Sequence, residues 1–348
     1  MKLLKLFIQT LFFSTIACTS LTAQDFTFSQ FYEMPLLRNP AIAGIFTGDI
    51  RVQGAYRSQW SSVTVPYKTM ALSSEVKFPV SSGNDYFTVA LQLSNDVAGD
   101  ANLRRTQILP AFNYLKSLNE GTSYISAGFI FGFVQSQFDP TKMTFDDQFQ
   151  NGQFNSNNTT NQSFKKTSES YFDASAGLSY SGLIGSGTKF YIGGAYYHLN
   201  KPKVSFYNDA SVLKPRTVIN AGLNMPTSVF DNFYVYGDYI MQAGHRQALI
   251  GLLYGHAFGE YDEDESKTCI SIGGFYRWGD AFIPVAKLEY NKICIGVSYD
   301  VNVSKLTVAS QSRGGFELTL SFKSFLNIRN STHNSIRERG SYTCPINF

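Results

Sequence analysis

The chain has 348 residues, of which 16% are charged and 15% aromatic, and its formal net charge is +3. Low charge and many aromatic residues exclude an intrinsically disordered chain. Beyond residue 23 there is no apolar run of about 18 residues that could form a transmembrane helix. Sustained heptads are missing as well, which excludes a coiled coil. The composition therefore indicates an all-β protein.

Residues 1–23 have the features of a secretory signal peptide. Two lysines precede an apolar stretch, and small residues lead up to Ala23, after which we expect cleavage. Lipidation at Cys18 is the alternative, but Thr15 stands where a lipoprotein signal normally has an aliphatic residue. Both alternatives predict export from the cytoplasm.

Apolar and polar residues alternate along most of the remaining chain. Within 123–137, for example, Phe129 and Phe131 share one face, while Ser126 and Gly128 lie on the opposite one. Such a sheet fits a barrel that has lipid outside and a polar interior. A β-sandwich is the alternative, but it needs shorter strands and would bury the phenylalanine face between two sheets.

The alternation predicts fourteen strands, each about 10 residues long and able to cross a bilayer when tilted. The predicted fold class is therefore all-β, a 14-stranded antiparallel transmembrane β-barrel of the outer membrane. The strands are expected near 49–59, 67–78, 85–95, 104–117, 122–137, 171–182, 188–200, 215–226, 231–242, 246–257, 268–278, 281–291, 293–302 and 313–323.

This prediction divides the chain into a signal peptide 1–23, an N-terminal segment 24–48, the barrel 49–323 and a C-terminal tail 324–348. An even strand number places both ends of the barrel in the periplasm. The N-terminal segment is then expected either to plug the lumen or to dock in the periplasm. The tail is expected to be periplasmic.

The connections between the predicted strands alternate between the outer and the periplasmic side, and the longest one falls on the outer side. Loop 138–170 is the longest, and it faces outward together with 201–214 and 303–312. It is rich in Asn, Ser, Thr and Gln. A loop of this length is usually functional or disordered.

Removal of the signal peptide takes away two lysines and leaves 27 basic against 26 acidic residues, a net charge of +1. This balance excludes a strongly basic surface for nucleic acid. Three cysteines remain, and their odd number argues against a disulfide framework. Cys269 and Cys294 fall on strands separated by a third strand, about 10 Å apart and too far for a mutual disulfide. Both are predicted to be small inward-facing residues.

Sequence signals for catalysis or metal binding are missing. None of the four histidines, at positions 198, 245, 256 and 333, has a partner at zinc spacing, and no Cys-x-x-Cys or His-Glu-x-x-His occurs. The acidic run 262–265 lacks the spacing of a calcium loop. We therefore predict no cofactor, no metal and no enzymatic activity.

Charged residues also fall on the faces that are predicted to line the lumen. Because both signs occur and an unpaired buried charge is costly, we expect these residues to pair with one another inside the barrel. A selectivity ring for one sign of solute is the alternative. The residues are Arg57, Glu75, Arg105, Asp173, Arg277, Asp300 and Glu317.

Several short strings occur in order between residues 28 and 348. Those near the start are Phe28-Ser29-Gln30-Phe31-Tyr32, Asn39-Pro40-Ala41 with Gly44, and Tyr56-Arg57-Ser58-Gln59-Trp60. The later ones are His198 with Pro202, Tyr276-Arg277 with Asp280 and Pro284, Tyr299-Asp300 with Ser304, Arg313-Gly314-Gly315 with Glu317, and Cys344-Pro345. In these strings the chain resembles the PorP/SprF family of the Bacteroidetes type IX secretion system. It departs from the family at Trp278-Gly279, before Asp280.

Some of these residues also have a purely structural interpretation. Gly44, Gly314 and Gly315 would permit positive φ or close packing at the starts of strands. Tyr56 and Trp60 fall near a predicted membrane interface, where aromatic girdles occur whatever the partner.

The resemblance implies an outer-membrane barrel that has no catalytic activity and works with the type IX translocon components. It further implies export and surface anchoring of a large secreted adhesin with a type B C-terminal sorting domain, including adhesins for gliding motility. Some members work beside a periplasmic peptidoglycan-binding partner. Outer-membrane lipid surrounds such a barrel. A substrate-specific channel of the fatty-acid-transporter type, which also has fourteen strands and an N-terminal plug, is the alternative.

Combined with the predicted topology, the resemblance suggests that the outward loops form a cup around the sorting domain. Loops carry recognition because a rigid scaffold positions them. A stable grip needs roughly 1,200–2,000 Å² of buried surface in total, which favours insertion into the barrel mouth. Within the longest loop we expect the contact residues to be Phe145, Asp146, Asp147, Phe149 and Phe154.

Overall fold

The computed structural model describes residues 25–326 apart from 61–64, 81–83, 151, 186, 208–210, 259–267 and 305–306. The predictions for the signal peptide, Cys18, the acidic run 262–265, His333, Cys344 and Pro345 lie outside the described residues. Most of the described chain is β-strand. Its helices are all too short or too polar to cross a membrane.

Fourteen strands form one closed antiparallel sheet, which confirms the predicted barrel. The last strand closes the barrel by pairing with the first, with Tyr56 opposite Leu318. The strand ends differ from the prediction by up to three residues. In chain order the strands are β1 Ile50–Gln59, β2 Tyr67–Val80, β3 Asp85–Ala98, β4 Leu103–Leu118, β5 Ser123–Gln137, β6 Ser168–Ile184, β7 Thr188–Tyr197, β8 Arg216–Pro226, β9 Asp231–Gln242, β10 His245–Phe258, β11 Thr268–Arg277, β12 Ala281–Tyr290, β13 Ile293–Asn302 and β14 Arg313–Ser324.

Burial alternates along these strands as the sequence pattern predicts. In β12 every second residue is buried, including Lys287 and Glu289, whereas Phe282 and Leu288 are about half exposed. Because side chains of a strand point alternately to its two faces, the exposed set forms an apolar outer surface around the barrel. This surface is the one that contacts lipid in an outer-membrane barrel.

Residues 25–48 lie inside the barrel and fill its lumen. They form three short helical turns, Phe31–Glu33, Pro35–Arg38 and Pro40–Ile42, which are joined by irregular backbone. Leu36 and Ala41 in these turns have no exposed surface. We call this stretch the plug.

Aromatic side chains pack the plug against the inner wall. The ring of Tyr32 stacks on Tyr236 of β9 and Phe275 of β11, with ring centroids 4.8 and 5.2 Å apart. The edge of the Phe31 ring also meets Phe275. Aromatic pairs of this geometry add to the stabilisation that burial gives, so that this part of the lumen is a packed core.

The two longest connections lie at the same end of the barrel. At the end where β1 starts and β14 finishes, β3 follows β2, β5 follows β4 and β13 follows β12 after short turns. At the other end, 30 residues separate β5 from β6 and 18 separate β7 from β8. In outer-membrane barrels the longer loops face outward, so we call the latter the outer end and the former the periplasmic end.

The cysteines correct one prediction. Cys294 is free and buried, and Cys269 is also buried, so both face the interior as expected. Their strands flank β12, with Glu289 between the two, and they are not bonded to each other. Cys269 is nevertheless disulfide-bonded. The prediction that both cysteines face inward is confirmed, but the odd number of cysteines had argued against disulfides, and Cys269 forms one.

Candidate functional site

The candidate site consists of the plug, the charged wall that holds it, and the outer loops above it. Near the outer end, Asp300 of β13 binds two arginines, with Arg57 at 2.7 Å and Arg277 at 3.0 Å. Its other oxygen accepts a hydrogen bond from the hydroxyl of Ser29 in the plug, at 2.5 Å. Arg277 also donates to the Ser29 hydroxyl and pairs with Asp280. Four residues of the sequence strings, Arg57, Arg277, Asp280 and Asp300, thus meet around one plug residue.

Glu317 of β14 completes this cluster. Its two oxygens accept hydrogen bonds from the backbone amides of Ser29 and Gln30, both at 2.7 Å. Arg57 lies 3.9 Å from the same carboxylate and also donates to the carbonyl of Thr27. Buried charges of this kind are tolerated only when they are paired and hydrogen-bonded. The plug backbone therefore supplies two hydrogen-bond donors to Glu317, beside the charge of Arg57 on the wall.

Two further ion pairs join the middle of the plug to the wall. Glu33 binds Lys287 of β12 and accepts a hydrogen bond from Gln53 at 3.0 Å. Arg38 makes hydrogen bonds of 2.5–3.0 Å to both oxygens of Asp238 in β9. The Arg38 guanidinium also lies 4.7 Å from the centroid of the Phe31 ring. Both ion pairs are almost completely buried.

Toward the periplasmic end, the side chain of Asn39 and the carbonyl of Ala41 bind the plug to the wall. The side chain of Asn39 caps the turn that follows it by accepting from the amide of Ala41, and it donates to carbonyls of β6 and β7. The carbonyl of Ala41 accepts from Ser126, Ser179 and Asn113. Asn39 therefore does more than cap a turn, because its side chain also joins the plug to two barrel strands.

Glycine is required where the plug and the wall come closest. Gly44 has a φ of 81°, a left-handed conformation that favours glycine, and its amide donates to Glu75 at 2.9 Å. Glu75 is in turn paired with Arg51 at 2.8 Å. A Cβ atom added at Gly128 of β5 would overlap with the plug backbone at Pro40. Both glycines therefore allow an approach that a side chain would prevent.

At the outer mouth, Asp25 is held by a second charged cluster. His198, just after β7, binds Asp173 through Nδ1 at 2.8 Å and Asp25 through Nε2 at 2.7 Å. Burial disfavours a charged ring, but the hydrogen bonds to Asp173 and Asp25 outweigh burial and raise the pKa of His198 to about 9. Arg105 binds the same Asp25 carboxylate, and Arg216 lies 3.9 Å from it. The cluster fixes the first described residue of the chain.

The predicted lumen charges are therefore paired, as expected, and no ring of one sign lines the described part of the lumen. The partners differ from the expectation in one respect, because the plug supplies several of them. Asp25, Glu33 and Arg38 were missed by sequence reasoning, as were Asp238 and Lys287 on the wall. The sequence did contain a signal for these residues, because each is a charged residue within an apolar stretch or at an inward position of a strand.

The other residues of the sequence strings do not join these clusters. Tyr56, Pro284 and Tyr299 lie on the outer face of the barrel wall. A second group lies at the outer rim, where Trp60 contacts Tyr67 and its amide donates to Gly314, and the amide of Ser304 donates to Asp280. This group consists of Gln59, Trp60, Pro202, Ser304, Arg313, Gly314 and Gly315.

The two longest outer loops pack on each other through aromatic side chains. Phe138 meets Phe164 and Phe206, with ring centroids 4.8 and 4.7 Å apart, and Phe164 meets Tyr207 at 5.2 Å. The carbonyl of Phe206 also accepts from the amides of residues 165 and 166. Loops 138–170 and 201–214 therefore form one structure, which we call the outer loop layer.

A small hairpin projects from this layer. It pairs Phe149–Gln150 with Gln153–Phe154, and its two phenylalanines are 58% and 48% exposed. Phe145 packs against Phe164, and Asp146 is exposed. Asp147 instead accepts hydrogen bonds from Asn161 and Thr160 within the loop. Of the five predicted contact residues, the structure places Phe149, Phe154 and Asp146 at the surface.

The sequence was compared with models of known protein families. The sequence matches the profile of the type IX secretion system membrane protein PorP/SprF over residues 20–322. The chain belongs to the PorP/SprF family. The family assignment and the closed barrel together place this PorP/SprF protein in the outer membrane.

Comparison with curated proteins gives no match. Among solved structures, the CymD monoaromatic hydrocarbon channel is 9% identical, with a TM-score of 0.48 and coverage of 84% of this chain and 93% of CymD. A Pseudomonas aeruginosa FadL homologue is 7% identical, with a TM-score of 0.47 and coverage of 88% and 100%. CdiB from Acinetobacter baumannii is 9% identical, with a TM-score of 0.41, and the match spans 79% of this chain and 60% of CdiB. At these identities the likeness concerns the barrel fold alone.

Among the described residues, no group of His, Cys, Asp and Glu side chains is placed to hold a metal ion. Many of the buried charges hold the plug, and the two phenylalanines of the hairpin are among several exposed apolar side chains at the outer end. The structure is therefore a closed barrel that exposes a candidate contact surface at its outer end.

Proposed function

We propose that this PorP/SprF protein is a non-enzymatic barrel of the type IX secretion system that supports export and surface anchoring of a large secreted adhesin. The adhesin carries a type B C-terminal sorting domain and serves adhesion or gliding motility. Translocon components and a periplasmic peptidoglycan-binding protein are the other proposed partners. In this proposal the signal peptide is removed after Ala23 and the tail 324–348 is periplasmic.

The observation that carries this proposal is the position of the plug relative to the outer loops. Ion pairs and hydrogen bonds hold residues 25–48 against the wall from the outer mouth to the periplasmic end. Among the described residues, a partner that binds this barrel from outside therefore meets the outer loop layer and the plug that fills the lumen. Membership of a secretion family makes a secreted protein the natural partner for that surface.

The hairpin 149–154 is the proposed contact element within the outer loop layer. Its two exposed phenylalanines lie opposite each other, and exposed aromatic residues are typical of binding surfaces. Asp146 adds a negative charge beside them. The contact between Phe138 and Phe206 joins the two outer loops, and Phe145, which precedes the hairpin, packs against Phe164 of the same layer.

The proposal is tested by deleting residues 145–165 and measuring where the adhesin is found. The deletion removes the hairpin but none of the fourteen barrel strands. We expect most of the adhesin to move from the cell surface to the medium, while the barrel still shows heat-modifiable mobility on a gel. Adhesin that stays on the cells would contradict a role of this loop in anchoring.

Two point variants distinguish a specific role of the hairpin from a general effect of losing exposed apolar surface at the outer end. Phe149→Ser combined with Phe154→Ser should release adhesin, because it removes the exposed aromatic surface without shortening the loop. Leu199→Ser is the matched control, since Leu199 is 47% exposed at the same end but lies outside the hairpin. Equal release by both variants would show that the hairpin has no special role.

A further inference from the structure

We propose that the plug enters the lumen from the outer end, so that the mature amino terminus of this protein faces the extracellular space. The inference depends on the orientation of the barrel and on the path of residues 25–48. It does not depend on which protein the outer loops bind.

The path follows from the contacts of successive plug residues. The amide of Asp25 donates to Gln242, the last residue of β9, at 3.0 Å, and its carboxylate meets His198 just beyond the end of β7. Because β7 and β9 both run from the periplasmic to the outer end, these contacts place Asp25 at the outer mouth.

The rest of the segment descends through the lumen. Ser29 meets Asp300 near the outer end of β13, and Glu33 meets Lys287 in the middle of β12. Further along, the carbonyl of Phe46 accepts from Lys77, near the periplasmic end of β2, at 2.8 Å. The amide of Asp49 then donates to the last residue of β14, and β1 begins. The chain therefore passes through the whole barrel before its first strand starts.

Burial changes along the same path. Residues 25–27 are partly exposed, whereas residues 28–36 are buried without exception. This gradient is expected if the segment reaches solvent at Asp25 and lies inside the lumen from Phe28 onward. The two carboxylate oxygens of Asp25 are held by His198 and Arg105, so that the segment is fixed at the mouth.

The predicted cleavage site lies close in sequence to Asp25. Predicted cleavage after Ala23 leaves a single residue before Asp25, and successive Cα atoms are about 3.8 Å apart. The mature amino terminus then lies within a few ångströms of the outer mouth. An uncleaved chain would have to carry its apolar leader to the outer side through the barrel.

The inference is tested with an epitope tag inserted between Gln24 and Asp25 and detected by antibody on intact cells. A tag between Gly152 and Gln153 in the hairpin reports the outer side, and one between Ser228 and Val229 in the turn after β8 reports the periplasm. We expect the first two tags to be detected on intact cells and the third only after permeabilisation. Detection of the Gln24 tag only after permeabilisation, with the hairpin tag detected on intact cells, would overturn the inference.

A second measurement covers the case in which the tag prevents assembly. Gln24→Ser keeps the new amino terminus from cyclising, and intact cells carrying this variant are treated with a membrane-impermeant amine-reactive biotin. Mass spectrometry of the amino-terminal peptide should then show biotin on the α-amino group. A peptide that is labelled only after lysis would place the amino terminus in the periplasm and refute the proposed path.

Discussion

His198 lies between two carboxylates, and this position determines how its charge contributes to stability at different pH. Asp173 and Asp25 bind its two ring nitrogens, while Arg105 and Arg216 neutralise part of the negative charge around it. The carboxylates outweigh burial and raise the pKa of His198 to about 9, above its ordinary value of 6.5. A raised pKa means that the folded state binds the proton more tightly than the unfolded state does.

The stabilisation from His198 should therefore be complete below about pH 6.5 and disappear as the pH rises through about 9. A shift of this size corresponds to about 3 kcal/mol. We expect His198→Gln to lower the free energy of unfolding in detergent at pH 6, and we expect the difference from wild type to shrink by pH 10. A difference that stays constant between pH 6 and pH 10 would show that the ring charge does not contribute.

At the scale of elements, the plug fits against the wall because residue 128 is glycine and has no side chain. A methyl group there would overlap with the backbone of Pro40 and Ala41, which cannot move without breaking the hydrogen bonds to the Ala41 carbonyl. Overpacking of a tightly fitted interior typically costs about 1–3 kcal/mol. Gly128→Ala should lower the free energy of unfolding by an amount in this range.

Gly194→Ala is the matched control for this prediction. Gly194 is also a barrel-strand glycine, but a Cβ atom there would come no closer than 3.7 Å to its nearest neighbour, an ordinary contact. We expect its unfolding, followed by heat-modifiable gel mobility in urea, to match wild type. Equal destabilisation by the two substitutions would mean that loss of strand glycines, and not collision with the plug, causes the effect.

The barrel strands could be predicted because the alternation that defines them is local. Phe282 and Leu288 face outward for the same reason that Lys287 faces inward, and a few neighbouring residues reveal the pattern. The route of the plug could not be predicted in this way. Arg38 meets Asp238, 200 residues away in sequence, and nothing within the plug specifies which strand each side chain contacts.

The same difference applies to the candidate site. Alternation placed Arg57, Asp300 and Glu317 inside the lumen and predicted that their charges pair. It could not predict that Ser29 and the backbone of the plug complete their hydrogen bonds. The disulfide of Cys269 was also missed, because the sequence argument considered only the odd number of cysteines and the distance from Cys269 to Cys294.

At the scale of the whole molecule, the plug distinguishes an anchor from a channel. A 14-stranded barrel with an empty lumen is wide enough to conduct ions, since barrel diameter grows with strand number. Here the plug is joined to the wall by buried ion pairs along its length, from Asp25 to Arg38. Removing one partner of such a pair typically costs about 3–5 kcal/mol. Thermal motion at room temperature therefore releases the plug only rarely.

We accordingly expect the wild-type protein to show no stable unitary conductance after reconstitution in a planar bilayer. Deleting residues 25–47 should open a pore whose wall carries Arg51, Glu75, Asp238 and Lys287, and conductance should rise from the baseline to discrete steps. Gly128→Ala serves as a milder variant that keeps all the charges and should show brief openings. Heat-modifiable mobility establishes that each variant is folded before its conductance is measured. Discrete steps in the wild type would contradict a sealed barrel and favour the substrate-specific channel, because the contacts that hold the plug would then be too weak to close the lumen.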